Sequence, residues 1–288
     1  MAAGVRTWVV RVLLGALTHV VAAIAGGWVA SSVRLGRAFD VPDHGTRAAA
    51  DSTSVAQGER LARILGCAGC HEADLGGQIF VEEPGLGRIT ASNLTEVRDR
   101  YSDGDFERLL RHGVRPDGST VLLAMPSNAF AYLADDDVAS LIAFVRSVPD
   151  VQRELPETRV GVALRFFSFV EELRAAALID QERPHPPTAD RSSPEAFGAY
   201  LTRTICTECH GADLRGEASD FLVTPSLGVA AGYTPEQFRR LLREGVAASG
   251  EPLDLMAEVA RGRFTHYTDE EIEAIHAFAR SLAGSPGG

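Results

Sequence analysis

Two copies of the motif C-x-x-C-H constrain this sequence more than any other feature. The first copy ends at His71 and the second at His210. Their cysteines, which are all four in the chain, are Cys67, Cys70, Cys206 and Cys209. The spacing is typical of c-type haem attachment, because two thiols on one helical turn can each bond a vinyl group of the same porphyrin. The following histidine is then held under the iron as an axial ligand.

Other uses of these cysteines fit the spacing less well. A four-cysteine zinc site usually joins its two C-x-x-C pairs over a short loop, whereas most of a domain separates these pairs. A thioredoxin-like redox motif needs a βαβ context, which the sequence does not suggest. The motifs therefore predict two covalently bound haem c groups.

The chain is an internal duplication. Residues 71–77 read HEADLGG and residues 210–216 read HGADLRG. Further on, FERLLRHGV at 106–114 corresponds to FRRLLREGV at 238–246, and AFVRS at 143–147 corresponds to AFARS at 277–281. The matches keep the same order, so we expect one haem domain at 55–150 and a second at 191–284. Residues 1–32 are then an anchor or signal segment, 33–54 a polar tether and 151–190 a linker.

Each copy has the sequence signals of helices. Ser102 with Asp105 and Thr234 with Gln237 are helix starts, and the glycines at 113 and 245 are helix stops. Acidic residues open the last helix of each copy, where they suit the positive helix N-terminus. No segment alternates convincingly between apolar and polar residues as a strand would. We therefore predict an all-α fold, with two tandem domains after one N-terminal hydrophobic helix.

A methionine stands at a matching place in each copy and is the candidate sixth iron ligand. Six-coordinate electron-transfer haems commonly place Met opposite His, which raises the potential. Apart from Met1, the chain contains only Met125 and Met256. The second copy has three more residues between its methionine and the following phenylalanine. Rival ligands are three histidines that we expect to serve in packing or to lie at the surface, namely His112, His266 and His276.

At this point the chain resembles the two-domain class I cytochromes c, which include cytochrome subunits of membrane alcohol and sugar dehydrogenases. The motifs that carry the resemblance are the two C-x-x-C-H runs, Met125-Pro126-x-x-x-Phe130 and Asn93-Leu94-Thr95. The resemblance implies covalent haem c and His/Met ligation by His71 with Met125 and His210 with Met256. It also implies electron transfer from a dehydrogenase towards a quinone or terminal oxidase.

The chain departs from that family in three places. Cytochrome subunits for alcohol oxidation often carry three haems, whereas the two motifs here provide for two. Met256 is followed by Ala257 where the family has proline. Pro225-Ser226-Leu227 resembles the haem-pocket Pro-x-Leu, whose proline carbonyl holds the axial histidine, but the first copy has Ser92-Asn93-Leu94 there. Another well-placed carbonyl could accept the same hydrogen bond.

The N-terminal segment indicates the compartment. From Val12 to Ala30 no residue carries a formal charge, and Trp8 and Trp28 flank the stretch. Twenty residues of helix are about 30 Å long, so the tryptophans suit the two faces of one bilayer span. The alternatives are a core helix and a signal peptide cleaved after Ala23-Ile24-Ala25, which leaves a soluble periplasmic protein. Haem c attachment places the domains on the periplasmic side of a bacterial inner membrane.

Composition bears on partners. The formal charge is −11 and all 28 basic residues are arginine, so nucleic acid is an unsuitable partner and lysine chemistry is excluded. An acidic surface suits a redox partner that presents a basic patch, such as a dehydrogenase subunit, an oxidase or another cytochrome.

The linker contains an apolar run that either docks a partner or packs across the domains. Its residues are Val162, Leu164, Phe166, Phe167, Phe169 and Val170.

These observations leave three functional hypotheses. The leading one is an electron carrier with two haems in series and no substrate of its own, because closed His/Met coordination leaves no open position on iron. The second is a dihaem enzyme of the peroxidase or thiosulfate dehydrogenase type with one open haem, which only the altered Met256 loop favours. The third is a haem-based sensor, for which the sequence has no recognisable output domain.

Overall fold

A long helix precedes two similar helical units in the computed structural model, which describes residues 2–49, 51–219 and 222–283. Helix α1 spans Ala2–Leu35. The first unit contains α2 (Ser52–Ile64), α3 (Cys67–His71), β1 (Gln78–Glu83), β2 (Gly87–Ala91), α4 (Leu94–Val97), α5 (Asp103–Glu107), a π-helical turn (Arg108–His112), α6 (Ser127–Phe130) and α7 (Asp135–Ser147).

A connecting segment and the second unit follow. The connection contains β3 (Arg159–Val160), α8 (Val162–Phe167) and a 3₁₀ turn (Ala175–Leu178). The second unit contains α9 (Pro194–Ile205), α10 (Thr207–His210), β4 (Glu217–Ala218), β5 (Val223–Thr224), a 3₁₀ turn (Leu227–Gly232), α11 (Pro235–Glu244), α12 (Asp254–Gly262), a 3₁₀ turn (Phe264–His266) and α13 (Asp269–Leu282).

In both units the first helix crosses the last one at a glycine. A Cβ added at Gly58 in α2 would lie 1.9 Å from the carbonyl oxygen of Ser140 in α7. A Cβ added at Gly198 in α9 would lie 1.9 Å from the carbonyl oxygen of Ala274 in α13. The absence of a side chain therefore lets the two backbones touch, in the same way in each copy.

The helix boundaries confirm the capping predictions. Ser102 with Asp105 forms a complete capping box at the start of α5, and Thr234 with Gln237 does so at α11. The helical segments end at Gly113 (φ 66°) and Gly245 (φ 70°), in the left-handed conformation that glycine adopts without steric cost.

The all-α prediction was incomplete, because the mostly helical chain also contains two small antiparallel sheets. One sheet has the order β1-β2-β3, and the other pairs β4 with β5. The β1–β2 pairing shifts register between Ile79 and Val81. None of the residues in these two strands is buried. Strands without a buried face leave no alternating pattern in the sequence, which is why none was visible.

Helix α1 is exposed along most of its length, and only its last turns pack against the protein. An 18-residue window within Gly4–Leu35 has a mean hydropathy of 1.9 and none of it is buried, so α1 is not a core helix. Near its end, the guanidinium of Arg165 lies 4.2 Å from the Trp28 ring and Arg34 pairs with Glu172. The apolar linker run thus lies against the end of α1, with Phe166 half exposed.

The segment between α1 and α2 lies on the first unit rather than extending freely. Val41 is buried and packs with Val114 and Ala176. The Phe39 amide donates to the carbonyl of Gly118. These contacts hold the predicted tether against the linker and the first domain.

Candidate functional site

The first C-x-x-C-H motif forms the short helix α3 and presents a buried, oriented histidine. The Nδ1 atom of His71 lies 2.8 Å from the carbonyl oxygen of Ser92, to which it can only donate. This bond fixes the tautomer, so Nε2 keeps the lone pair that an iron ligand needs. Burial lowers the pKa of His71, which keeps the imidazole neutral.

The second motif repeats this arrangement. The Nδ1 atom of His210 lies 2.8 Å from the carbonyl oxygen of Pro225, the proline of the Pro-x-Leu run. Ser92 occupies the equivalent place in the first copy, so the missing proline does not remove the hydrogen bond. The two units therefore orient their motif histidines in the same way.

The four thiols are free in both motifs and suit thioether formation. Desolvation raises the pKa of Cys67 to about 11 and that of Cys206 to about 12. Surroundings that disfavour a thiolate do not disfavour a thioether, which carries no charge. The donor set, with two thiols and one neutral imidazole per motif, fits haem c.

The two methionines occupy different local structures. Met125 precedes α6 in a loop, where its amide donates to the carbonyl of Leu122. Met256 lies in the first turn of α12, a helix more than twice as long as α6. Both side chains are half-buried and pack against the main apolar core. The extra residues that distinguish the second copy have thus lengthened this helix.

Two of the rival histidines are engaged elsewhere. The ring of His276 stacks on Phe238 at 4.5 Å, and its Nε2 contacts the carbonyl oxygen of Ala230 at 3.1 Å. His112 is completely buried, and its Nδ1 contacts the side-chain oxygen of Gln181. Both residues contribute to packing, as expected from the sequence.

Arg263 joins the two motif segments, a role that the sequence pattern did not reveal. Its guanidinium donates to the carbonyls of Ile64 (2.9 Å) and Leu65 (3.0 Å), which are separated from the first motif only by Gly66. It also pairs at 2.9 Å with Glu208, which lies inside the second motif. Arginine can bond all three groups at once, because its guanidinium carries five N–H donors in a planar fork.

Other contacts strengthen the same domain interface. Arg60 in α2 makes a bidentate pair with Glu271 in α13, at 2.8 and 2.9 Å. The Glu271 carboxylate is buried, and it also caps its own helix. The Tyr200 hydroxyl accepts from the amide of Ala134. The two domains consequently lie against one another, with these polar contacts beside an apolar core that includes residues of both.

Comparison with known proteins identifies the family. A sequence model of cytochrome c matches residues 55–149 and 196–283. The chain belongs to the cytochrome c family. Membership implies haem c and a role in electron transfer.

Three relatives show which cytochromes this family member is similar to. The fructose dehydrogenase cytochrome subunit of Gluconobacter japonicus is 27% identical over 84% of this chain and 55% of its own length. The cytochrome c subunit of the quinone-type alcohol dehydrogenase of Gluconobacter oxydans (strain 621H) is 26% identical, over 83% and 57%. The gluconate 2-dehydrogenase cytochrome c subunit of Pantoea cypripedii is 27% identical, over 81% and 60%.

These matches confirm the resemblance to cytochrome subunits of dehydrogenases. The chain spans less than two thirds of the length of each of these relatives.

Proposed function

We propose that this chain is a dihaem c-type cytochrome that relays electrons between a dehydrogenase and a respiratory acceptor. Cys67 with Cys70 would attach one haem, and Cys206 with Cys209 the other. The observation that carries the proposal is the repeated histidine arrangement, in which Nδ1 donates to a backbone carbonyl and Nε2 is left for iron. A duplicated site of this kind serves two equivalent cofactors.

His71 with Met125, and His210 with Met256, are the proposed axial ligands. Haem bound in this way supplies a one-electron couple whose potential the axial ligands and burial tune. With these residues as ligands, the protein would exchange electrons without binding a substrate at iron. The junction at Arg263 supports transfer between the two haems, because it holds the two attachment segments together.

We further propose that α1 anchors the cytochrome in the bacterial inner membrane, with the haem domains on the periplasmic side. The exposed apolar length of α1 supports a span, since a bilayer core is about 30 Å thick and a helix rises 1.5 Å per residue. Trp28 would lie at the interface, and the half-exposed Phe166 and Phe169 beside it would lie against the same lipid surface.

The proposed anchor can be tested by asking whether the mature protein retains α1 or loses it by cleavage. The contacts of Trp28 and Arg34 lie after Ala25, so they would survive cleavage there and do not themselves retain the helix. We expect protein purified from membranes to keep residues 2–25 and to resist extraction by high salt or alkaline carbonate. Intact mass after detergent extraction measures this. A soluble mature chain that starts just after Ala25 would show that α1 is a cleaved signal peptide and not an anchor.

The lengthened helix α12 favours one alternative, a dihaem enzyme of the peroxidase or thiosulfate dehydrogenase type. Met256 sits in a helical turn rather than in a loop like that of Met125. If its sulfur does not bind iron there, the second haem has an open position and can bind small molecules.

A carbon monoxide difference spectrum of the reduced protein decides between the two functions. We expect two covalent haems per chain by pyridine haemochrome assay, and no spectral change with carbon monoxide, because both irons are closed. Binding of one equivalent of carbon monoxide would identify an open haem and support the enzyme. A count of one haem would show that one motif is not used.

A further inference from the structure

A cluster of histidines and one glutamate lies on the first domain, apart from both motif segments. His44 comes from the tether, Glu107 and His112 from the end of α5 and its π-helical turn, and His185 from the linker. The ligand atoms of His44, Glu107 and His112 all lie within 4.8 Å of one another. Glu107 and His112 are completely buried, whereas His44 is exposed.

The π-helical turn brings Glu107 and His112 together. Residues five apart in an α-helix point about 140° away from each other, because each residue turns by about 100°. A π-helix closes its hydrogen bonds between residues five apart, so it places such a pair on one face. The Nε2 of His112 accordingly lies 3.6 Å from Oε1 of Glu107. The corresponding helix of the second domain, α11, has no such turn.

The hydrogen bonds around Gln181 fix the tautomer of His112. The amide nitrogen of Gln181 donates to the carbonyls of Ala176 (2.8 Å) and His112 (3.3 Å), so its oxygen must face the imidazole. That oxygen lies 2.7 Å from Nδ1 of His112, which therefore carries the proton. The lone pair is on Nε2, the atom directed at Glu107. Metal-binding histidines are typically held in this way by an acceptor on the other ring nitrogen.

Several polar atoms in the cluster have no hydrogen-bond partner among the described residues. They are Nε2 of His112, Oε2 of Glu107 and both ring nitrogens of His185. Two acceptors that face each other in a buried site repel unless a cation or proton lies between them. The local charge permits a cation, since the single positive charge of Arg111 is opposed by Glu107 and Asp135.

We propose that His44, Glu107 and His112 bind a divalent transition metal ion, and specifically Zn²⁺. Two imidazoles and one carboxylate form a ligand set that zinc accepts, with a fourth position left for another ligand. His185 lies beside the three ligands, with its ring edge-on to His112 at 5.3 Å and to His44 at 6.0 Å. The exposed His44 provides the route by which the ion enters.

The bound ion would join two parts of the chain. It would tie the tether through His44 to the first domain through Glu107 and His112. A metal that binds only the folded arrangement stabilises it by mass action. The site would therefore hold the tether in place on the first domain, which is a structural role separate from electron transfer.

Zinc binding to the full-length holoprotein in detergent tests the proposal. The protein is stripped with a chelator, dialysed against ZnCl₂, and analysed for zinc and iron in the same sample. We expect one zinc per chain, with zinc-edge X-ray absorption showing at least two imidazole ligands. Because iron does not contribute at the zinc edge, the haems do not interfere.

Variants locate the ion. The exposed His44→Ala keeps the buried pair intact and is expected to weaken zinc affinity by about tenfold or more, in the range seen when ligand support is lost. His185→Gln is expected to weaken it less, and His266→Gln, which removes a histidine elsewhere, should leave it unchanged. An equal affinity in His44→Ala and the unaltered protein, or zinc uptake below one per chain at saturation, would overturn the proposal.

Discussion

Replacing Gly58 with alanine is expected to lower the free energy of unfolding of the first domain by about 2–3 kcal/mol, at the upper end of the cost of overpacking. The new Cβ would lie 1.9 Å from the Ser140 carbonyl oxygen and 2.9 Å from Cβ of Phe144. Both obstacles are close to the helix backbone, so no side-chain rotation relieves them. Helices α2 and α7 must separate, and Ile64 and Leu141, both buried, lose contacts at the crossing.

The duplication provides an internal replicate of this experiment. Gly198→Ala puts a Cβ 1.9 Å from the carbonyl oxygen of Ala274, so the second domain should lose as much stability as the first. Urea denaturation followed by haem absorbance measures both. Gly262→Ala is the matched control, because no atom lies within 4 Å of its added Cβ. A Gly58→Ala midpoint equal to that of the control would mean that the helices do not cross so closely.

The helical repeat was predictable from the sequence because its signals are local. The capping pairs Ser102–Asp105 and Thr234–Gln237 and the terminal glycines act within one or two turns, and each lies where the sequence placed it. The sheets were not predictable in this way. Residues 78–91 pair through backbone bonds at the surface, so apolar and polar side chains do not alternate there.

Features that depend on tertiary contacts could not be predicted from the sequence pattern. FERLLRHGV and FRRLLREGV are nearly the same, yet only the first contains a π-helical turn. The first domain alone has the linker residues Gln181 and His185 against this turn, where both contact His112. Arg263 was missed for the same reason, since Ile64 and Leu65 lie almost two hundred residues away and Glu208 lies 55 residues away in the second motif.

Replacing the proposed methionine ligands should have the largest effect on function. Met125→Ala and Met256→Ala are each expected to lower the midpoint potential of one haem by on the order of 0.1 V or more, within the roughly 0.8 V range that axial ligands set. Thioether sulfur favours ferrous iron, and its loss removes that preference. A spectroelectrochemical titration should resolve two haem components, of which only one shifts in each variant.

A control variant and a second measurement test whether a shift in midpoint potential comes from loss of the methionine ligand. Leu255→Ala alters the exposed neighbour of Met256 in the same turn of α12 and should leave both potentials unchanged. Each methionine variant should also gain carbon monoxide binding, because the vacated position becomes open. Should Met256→Ala change neither potential nor carbon monoxide binding, Met256 would be a packing residue of α12.

The two methionine variants together test the symmetry of the duplication. A loop can move a sulfur by several ångströms at little cost, whereas a helical residue is fixed by the hydrogen bonds of its turn. Met125 therefore has the more adaptable position and Met256 the more rigid one. If only Met125→Ala lowers a potential, the first haem transfers electrons and the second reacts with ligands. Equal shifts mean that both domains kept the carrier role after duplication, and that the longer helix still delivers its sulfur to the iron.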